Sequence, residues 1–363
     1  MPVEVLTSRE LNRALLARQL LLKRVDRPAV DAVEHLVGMQ AQSPNAPYLG
    51  LWSRFDGFAV ADVSDAILDR RLVRASLMRG TIHLVSARDC LLLQPLLRSI
   101  FARAVQNSPL LPPPAEVDAV LKLAGDLLDE APRTLAELRV LLGERRPDLD
   151  PESMARAARY LLPLIHVPPK GIWGRGGQAR LTTIQSWLGR DVDPDARLDA
   201  VIPRYLAAFG PASVKDMQTW CGLTGLRDVV RRLDLRTFRD ESGTELFDVP
   251  DGLFADPDTA APVRLLPEYD NCLRSHTDRR RIMTDESRAA LFATKNDAPM
   301  PAFLIDGFVR GTWKLDRTRT TATAHIRPFG KLSKKDASAV AAEAARLLDF
   351  TDPDGRTHEV RLS

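Results

Sequence analysis

Apolar and polar positions along the chain repeat one order of elements, three helices followed by a strand or a hairpin. In the first copy, apolar residues at helical spacing predict the helices, with Ser8 as the first N-cap candidate and Pro28 opening the second helix. The run GTIHLVS at 80–86 suits a strand. A fourth helix then ends at the proline cluster LLPPP, residues 110–114, which marks a boundary. The predicted helices of this copy cover residues 8–23, 28–42, 64–79 and 88–106.

The same order follows twice more. In the second copy, Thr134 with Glu137 three residues later is a capping-box signature, and the glycine-turned segment at 166–183 predicts a hairpin. In the third copy the turn ESGT lies between two apolar-flanked runs, so 238–249 predicts another hairpin. The predicted helices of these copies cover residues 115–130, 133–144 and 151–166, and then 198–210, 211–223 and 224–235.

Three helices followed by a hairpin is the order of a winged helix, and from about residue 257 the pattern changes to short apolar runs separated by turns. The sequence therefore predicts a mainly α protein with β structure (α+β). We expect three tandem winged-helix domains and a small C-terminal β-rich, barrel-like module with one helix at 334–351. The predicted limits are 1–110, 111–196, 197–256 and 257–363.

Composition is that of a globular protein, with 45% hydrophobic and 27% charged residues. No apolar run of about 18 residues occurs, and charged residues stand where a signal peptide would need an apolar stretch, so we expect a cytoplasmic protein. Three cysteines far apart fit neither a disulfide framework nor a clustered metal site. Metal and nucleotide motifs such as HExxH and GxxxxGK[ST] are missing from the sequence, so we expect no metal and no cofactor.

Net charge is only +3, because 51 basic side chains are nearly matched by 48 acidic ones, so the distribution of charge has to decide about nucleic acid. Arginines cluster at three places, where they can neutralise phosphates locally. The third predicted helix of the third copy carries one cluster where a helix-turn-helix places its recognition face. The alternative for each cluster is an ordinary solvated helix surface. The clusters are Arg70, Arg71 and Arg74; Arg227, Arg231, Arg232 and Arg236; and Arg279, Arg280 and Arg281.

Four segments together resemble the AlkZ/YcaQ-like winged-helix DNA glycosylases. They span most of the chain in the order expected for that family. The resemblance implies three tandem winged helices and a C-terminal β-module that form a concave, basic cradle for duplex DNA. The segments are GMQAQSPNAPYLGLWSR at 38–54, MRGTIHLV at 78–85, LLPEYDNCLRSHTDR at 265–279 and IDGFVRGTWKL at 305–315.

The most specific match is Gln40-Ala41-Gln42, because a Q-x-Q pair is the catalytic element implied by the resemblance. The second glutamine places the chain with the AlkZ-like branch, since the YcaQ-like branch carries an acidic residue or asparagine there. The AlkZ-like branch is associated with bulky cationic purine adducts, interstrand crosslinks included, and with self-resistance in antibiotic producers. Duplex DNA with alkylated purines is thus the expected partner. We expect a monomer that is associated with the nucleoid and not with a membrane.

An amide pair can serve this chemistry because an N3- or N7-alkylated purine is already cationic and leaves as a neutral base. A glutamine carbonyl can hold the attacking water and place partial negative charge near the sugar. We assign Gln42 mainly to water and Gln40 mainly to sugar or backbone positioning. Side chains two apart on a helix point about 200° apart, so we expect Ser43 and Pro44 to break the helix and let the amides converge. The alternative is two capping amides at a helix end.

Further site residues come from the same segments. His83 is a candidate support residue, although a lone histidine in a strand is more often a satisfied core residue. Asp270 and His276 lie in the third segment, where the resemblance implies loops that face DNA, and Arg279 and Arg280 either contact phosphate or pair with Asp270 or Asp278. The full set of candidates beyond the two glutamines is His83, Ser43 and Asn45 for support, and Arg79, Arg227, Arg231, Arg232, Arg279 and Arg280 for DNA.

A crosslinked nucleotide cannot rotate freely out of the duplex, so ordinary base flipping fits such a substrate poorly and we expect access from the groove. The main rival function is a DNA-binding transcriptional regulator, because winged helices most often serve transcription and need no catalysis. A scaffold for protein partners is a weaker rival. A lyase would need an active lysine, and none of Lys23, Lys122 or Lys215 lies near the Q-x-Q segment in sequence.

Overall fold

A computed structural model of the chain describes residues 3–106, 108, 110–293, 298–353 and 355–363. We name its parts by the predicted ranges: the first module (1–110), the second module (111–196), the third module (197–256) and the C-terminal module (257–363). Helix and strand are mixed throughout, as predicted, with 44% of residues helical and 19% in strands. The division into three winged-helix domains with these limits stays a prediction.

The first module alternates helices with short strands. Its elements are β1 (Val5–Leu6), α1 (Ser8–Arg18), α2 (Ala29–His35), β2 (Met39–Gln40), α3 (Ala46–Arg54), α4 (Val60–Leu68), β3 (Leu72–Ser76), β4 (Ile82–Ser86) and α5 (Ala87–Val105). Thr7, rather than the predicted Ser8, caps α1, because its hydroxyl accepts the Glu10 N–H while the Glu10 carboxylate returns to the Thr7 N–H.

Three predicted helices of this module are too long. The first ends at Arg18 instead of continuing to Lys23. The second ends at His35 instead of continuing through Gln42, and the third ends at Leu68, so that 72–76 is the strand β3. Each continuation is interrupted by a left-handed residue that is not glycine: Leu20 with φ 59°, Val37 with φ 52° and Arg70 with φ 62°. A helix cannot pass through such a residue, and the following chain is free to pair as a strand.

The second and third modules follow the predicted order, although the helix predicted at 151–166 ends at Leu161 and residues 164–167 form a strand. The second contains α6 (Val117–Glu130), α7 (Leu135–Arg145), α8 (Pro151–Leu161), β5 (Leu164–Val167), β6 (Arg180–Thr183) and α9 (Ile184–Leu188). The third contains α10 (Leu198–Phe209), α11 (Val214–Cys221), α12 (Arg227–Arg232), β7 (Arg236–Asp240) and β8 (Glu245–Asp248). The capping box predicted at Thr134 and Glu137 is present at the start of α7.

The C-terminal module is a five-stranded sheet covered by helices. Its elements are β9 (Arg264–Leu266), α13 (Asp285–Leu291), β10 (Ala302–Ile305), β11 (Phe308–Arg317), β12 (Thr321–Pro328), α14 (Lys334–Thr351) and β13 (Thr357–Leu362). The strand order is β13-β12-β11-β10-β9, and only β12 and β13, which α14 connects, run parallel. Within the described residues β9 and β13 do not pair, so the sheet is open and the barrel-like closure that we predicted is wrong.

Two sheets cross the limits of the modules. The strands β2-β4-β3-β5-β6 form one five-stranded sheet, in which Arg74 of β3 pairs with His166 of β5 and joins the first module to the second. The N-terminal strand β1 runs parallel to β7 and so extends the hairpin of the third module. The strands of one module alone would leave these edges open, and the pairing covers them.

Hydrophobic cores follow the same connections. The second module has its own core between α6, α7 and α8. The largest core is shared by α1, α5, the helices of the third module and the inner face of the C-terminal sheet. Trp52 of α3 packs into the core of the C-terminal module. Met39 and Ala41, which flank Gln40, lie in a further core within the first module.

Candidate active site

The Q-x-Q segment is extended, and it lies between the end of α2 and the start of α3. Val37 and Gly38 have positive φ, 52° and 91°, and turn the chain into β2. Gln40 pairs with His83 of β4, and the Ala41 N–H donates to the Ile82 carbonyl at 2.7 Å. The strand ends at Gln40, and Gln42 lies in the bend that follows it. The predicted helix break at Ser43 and Pro44 is thus wrong, and the reversal of α2 at Gly38 replaces it.

Gln40 is buried and fixed by the side chains around it. It is 5% exposed, and its Oε1 atom accepts a hydrogen bond of 3.0 Å from Nη2 of Arg79. The same Nη2 donates to Oδ1 of Asn271 at 3.1 Å and lies 3.4 Å from Nε2 of His83. The other terminal nitrogen of Arg79 donates to the Trp220 carbonyl. Arg79, one of the predicted DNA contacts, is therefore occupied in holding the first, third and C-terminal modules around Gln40.

Asn271 completes this arrangement from the C-terminal module. Its Nδ2 group donates to the Gly38 carbonyl at 3.1 Å, and its Oδ1 accepts from Arg79. One buried amide thus holds both the backbone that leads into β2 and the arginine that holds Gln40. Asn271 lies in the third segment of the resemblance, but nothing in its neighbourhood along the chain marks it as a partner of Gly38.

The electrostatics of the cluster leave His83 neutral. Burial and the nearby Arg79 charge lower the pKa of His83 to about 3, because both disfavour the imidazolium form. Nδ1 lies 3.0 Å from the Thr81 carbonyl, so it carries the hydrogen and Nε2 presents a lone pair to Arg79. Burial, followed by repulsion from Arg274, lowers the pKa of Arg79 to about 9, which still leaves it cationic at neutral pH.

Gln42 has a different environment from Gln40. It is exposed, and its Oε1 accepts only a long hydrogen bond of 3.3 Å from the Ile82 N–H. Its side chain lines a cavity of about 410 Å³ between the first and second modules. Gln40 instead borders a gap of about 10 Å³ beside Arg54 and Asp270. Gln40 is thus held in place by a hydrogen bond, whereas Gln42 is accessible.

Ser43 and Asn45 lie in the turn that follows Gln42. Both are half-buried, the Ser43 carbonyl accepts the Ala46 N–H at 3.1 Å, and Asn45 precedes the first residue of α3. The Asn45 side chain does not cap that helix. These two residues shape the connection to α3, and the described contacts do not place them in the cluster around Gln40.

The predicted DNA-binding arginines of the third module are exposed on α12, in the third helix of that copy. Arg231 pairs with Asp228 at 3.2 Å and Arg232 with Asp199 at 3.0 Å. Arg227 lines a second cavity, of about 400 Å³, together with Arg280. These contacts with acidic neighbours are exposed, where an ion pair contributes little and can be exchanged for phosphate.

The third segment of the resemblance is less exposed than we expected. Asp270 and His276 are 6% and 1% exposed, so the expectation that they lie on loops facing DNA is wrong. Asp270 forms an ion pair of 2.8 Å with Arg54, and Nε2 of His276 lies 3.0 Å from the Phe209 carbonyl. Both residues lie in the interior, where they join the C-terminal module to the first and third modules.

Arg279 and Arg280 lie in different environments. Arg280 is exposed and pairs with Asp278 at 2.5 Å, which is one of the two predicted arrangements. Arg279 is half-buried, with its guanidinium 4.7 Å from the centre of the Phe292 ring and its Nε donating to the His276 carbonyl at 3.3 Å. Of the two, Arg280 is the one placed to exchange its partner for phosphate.

No group of three or more histidine, cysteine, aspartate or glutamate side chains that could hold a metal occurs among the described residues. Over the same part of the chain, no helix has the length and apolar character needed to cross a membrane. All three cysteines are buried and unpaired, and burial raises the pKa of Cys221 to about 11. A buried thiol of this kind is inert at neutral pH.

Comparison with known proteins gives a consistent set of relatives. The family model described as DNA glycosylase AlkZ-like matches residues 33–350. A curated relative from Streptomyces sahachiroi, the interstrand DNA cross-link repair glycosylase, is 26% identical over 362 residues, covering 91% of this chain and 92% of the relative. The solved structure of the DNA glycosylase AlkZ of the same organism has a TM-score of 0.79 at 23% identity, covering 99% of this chain and 100% of that one. At that identity the structural similarity shows a shared fold.

Proposed function

Because the chain belongs to the AlkZ-like DNA glycosylase family, we propose that it is a monofunctional glycosylase that acts as a monomer on duplex DNA. It hydrolyses the N-glycosidic bond of purines made cationic by alkylation at N7 or N3. Bulky adducts and interstrand crosslinks are its proposed substrates, because the curated relative is named for cross-link repair. The observation that carries the proposal is the pair of glutamines, one fixed by Arg79 and one accessible beside a cavity.

The reaction needs a positioned water more than an acid. When the bond between C1′ and the base nitrogen breaks, its electron pair neutralises the cationic base, so no proton has to be donated to the leaving group. His83, with a pKa of about 3, is not an imidazolium at neutral pH and so is not an acid for the leaving group. The water oxygen bonds to C1′ and its proton passes to solvent. A neutral histidine in the cluster is therefore compatible with this chemistry.

Gln42 is the residue that we assign to the water. Its carbonyl oxygen has two lone pairs and gives one to the Ile82 N–H over a long 3.3 Å contact, so the other can accept a hydrogen bond from water. The Gln40 carbonyl is held by Arg79, so Gln40 offers its NH₂ group, a donor suited to a sugar or backbone oxygen. Positioning and electrostatics of this kind contribute on the order of 10²–10⁴ in rate, enough for an activated leaving group only.

Base release from a 7-methylguanine duplex tests the proposal. We expect the wild type to release 7-methylguanine and not guanine, and we expect Gln42→Ala to reduce the single-turnover rate on the order of 10²-fold or more. Gln185→Ala is a matched control, because Gln185 is an exposed glutamine on α9. Equal release of guanine, or a Gln42→Ala variant as fast as the control, would refute the proposal.

The glutamine variants also distinguish a glycosylase from the rival function, a transcriptional regulator. If Gln40→Ala and Gln42→Ala leave every measured activity intact while the protein still binds one DNA sequence preferentially, the chain is a winged-helix regulator. A duplex crosslinked through purine N7 atoms then defines the substrate class. Unhooking of this crosslink by the wild type at a rate comparable to 7-methylguanine release is the result expected for an enzyme of bulky adducts.

A further inference from the structure

The cavity beside Gln42 lies on one face of the sheet that the first two modules share. Arg74 and His166 are paired residues across the junction of β3 and β5, and both line it. Gln42 lies at its edge, and α5 and α8 contribute Phe101 and Arg159 to its walls. At about 410 Å³ the cavity falls within the size range of ligand pockets, roughly 300–1,000 Å³.

The cavity is cationic. Arg74, Arg159 and Lys170 line it, and no aspartate or glutamate is among the described residues that do so. His166 adds no charge at neutral pH, because burial and then the Arg74 charge lower its pKa to about 4. Arginine and lysine charges gathered without a carboxylate form an electrostatic site for an anion.

Arg74 gives this site a buried, incompletely satisfied donor. It is 3% exposed and forms no ion pair with any described residue. Its terminal nitrogens donate to the Ala41 carbonyl at 2.9 Å and to the Lys170 carbonyl at 3.2 Å, while its Nε has no partner in the part of the chain that the structure describes. A buried donor without a partner costs free energy, which a bound anion would recover.

The charge of the cavity also selects between parts of the proposed substrate. A cationic alkylated purine would be repelled by the three basic side chains. A backbone phosphate would be attracted, and the apolar walls at Phe101, Leu162 and Leu164 suit the carbon atoms of a deoxyribose. The base can then stay on the duplex side of Gln42, as groove-side access requires.

We infer that this cavity binds one phosphodiester and sugar of the damaged strand, next to the nucleotide whose base is released. The inference rests on the proposed function, since it takes duplex DNA as the ligand. Arg74 connects phosphate binding to the Q-x-Q segment, because it lines the cavity and also donates to the carbonyl of Ala41, between the two glutamines. Lys170 and Arg159 hold the phosphate from the second module.

Neutral phosphates scanned along a duplex test this assignment. The duplex carries a tetrahydrofuran abasic analogue, and each phosphate near it is replaced in turn by methylphosphonate. We expect one position to weaken wild-type binding about tenfold, the loss of one charge-assisted contact. Lys170→Gln should weaken binding of the unmodified duplex by a similar factor and show a reduced further loss at that same position.

Lys122→Gln is the matched control, because Lys122 is an exposed lysine of the same module that pairs with Asp126 outside the cavity. It should bind the unmodified duplex like the wild type and keep the full tenfold loss at that position. Arg159→Gln provides a second variant from the cavity wall, expected to behave like Lys170→Gln. Thermal unfolding of each variant verifies that it is folded.

Two results would overturn the inference. One is a scan in which no methylphosphonate position weakens the wild type, and the other is a loss that persists in full in both Lys170→Gln and Arg159→Gln. If inorganic phosphate shifts the His166 ring resonances while the scan shows no sensitive position, the cavity is a site for free anions and not for DNA. Base release from 7-methylguanine duplex, measured in parallel, fails independently if the proposed function is wrong.

Discussion

At the scale of single residues, the two glutamines have the same chemistry and opposite surroundings. Gln40 is 5% exposed and its carbonyl is bonded to Arg79, whereas Gln42 is exposed beside the cavity. This difference supports our proposal that Gln42 positions the water and that Gln40 positions the sugar or the backbone. The anchoring depends on Asn271, which holds Gly38 and Arg79 at once.

Asn271→Ala is expected to reduce the rate of base release while leaving affinity for duplex DNA unchanged. It removes the two contacts that fix the Q-x-Q segment, and a misplacement of about 1 Å can cost on the order of 10²-fold in rate. Single-turnover release at saturating enzyme gives the rate, and equilibrium binding to an abasic duplex gives the affinity.

Asn12→Ala is the matched control for that experiment. Asn12 is also a buried amide that joins the first module to the C-terminal module, through the Arg281 and Gly307 carbonyls. Both substitutions should cost similar unfolding free energy, and only Asn271→Ala should slow release. Equal slowing by both variants would show that Asn271 acts only through overall stability.

At the scale of elements, the sequence predicts best where local chemistry marks the end of a helix. The capping box at Thr134 and the order of helices in the third module agree with the structure. The predicted helices fail at Leu20, Val37 and Arg70, because a left-handed conformation at a residue other than glycine or asparagine leaves no signal in sequence. The contacts of Asn271 and Arg74 are unpredictable for another reason, since they join segments that only the fold brings together.

Gly38 forms the turn between α2 and β2. Its φ is +91°, and a Cβ there would lie 2.6 Å from Cγ1 of Val85. Gly38→Ala should therefore strain the backbone and displace β2, lowering the unfolding free energy by more than the ~1 kcal/mol of a strained φ alone and slowing base release with it. Chemical denaturation and single-turnover kinetics measure the two effects.

Gly57→Ala separates backbone strain from the clash. Gly57 has φ +66° with open space around its Cβ position, and it lies outside the Q-x-Q segment. We expect it to lose only the strain contribution and to keep the wild-type rate of release. Should Gly38→Ala release base as fast as Gly57→Ala, the turn at Gly38 does not position Gln40.

At the scale of the whole molecule, buried polar contacts join the modules as much as apolar cores do. Arg54 and Asp270 join the first module to the C-terminal module through an ion pair. Burial alone would raise the pKa of Asp270, but Arg54 holds this pKa below its ordinary value. His276 joins the C-terminal module to the third through Phe209, and His83 lies in the cluster around Gln40. Shared sheets and a shared core lead us to expect one cooperative unfolding transition.

These buried histidines make the stability of the molecule depend on pH. Burial lowers the pKa of both His83 and His276 to about 3. The Arg79 charge acts in the same direction on His83 and the Arg281 charge on His276, where Asp216 opposes it. The unfolded chain has histidines of ordinary pKa, near 6.5, so between pH 6.5 and 3 it binds more protons than the folded chain. Stability from this source is full above pH 6.5 and falls as the pH decreases towards 3.

We expect the unfolding free energy in urea to fall by about 1 kcal/mol per buried histidine between pH 7.5 and 5.5. His276→Gln removes one titrating group and keeps a donor for the Phe209 carbonyl, so its loss over this range should be about 1 kcal/mol smaller than that of the wild type. Wild type and variant are compared at both pH values in the same buffer series. Identical pH dependence would mean that His276 takes up its proton in the folded chain, contrary to its burial against Arg281.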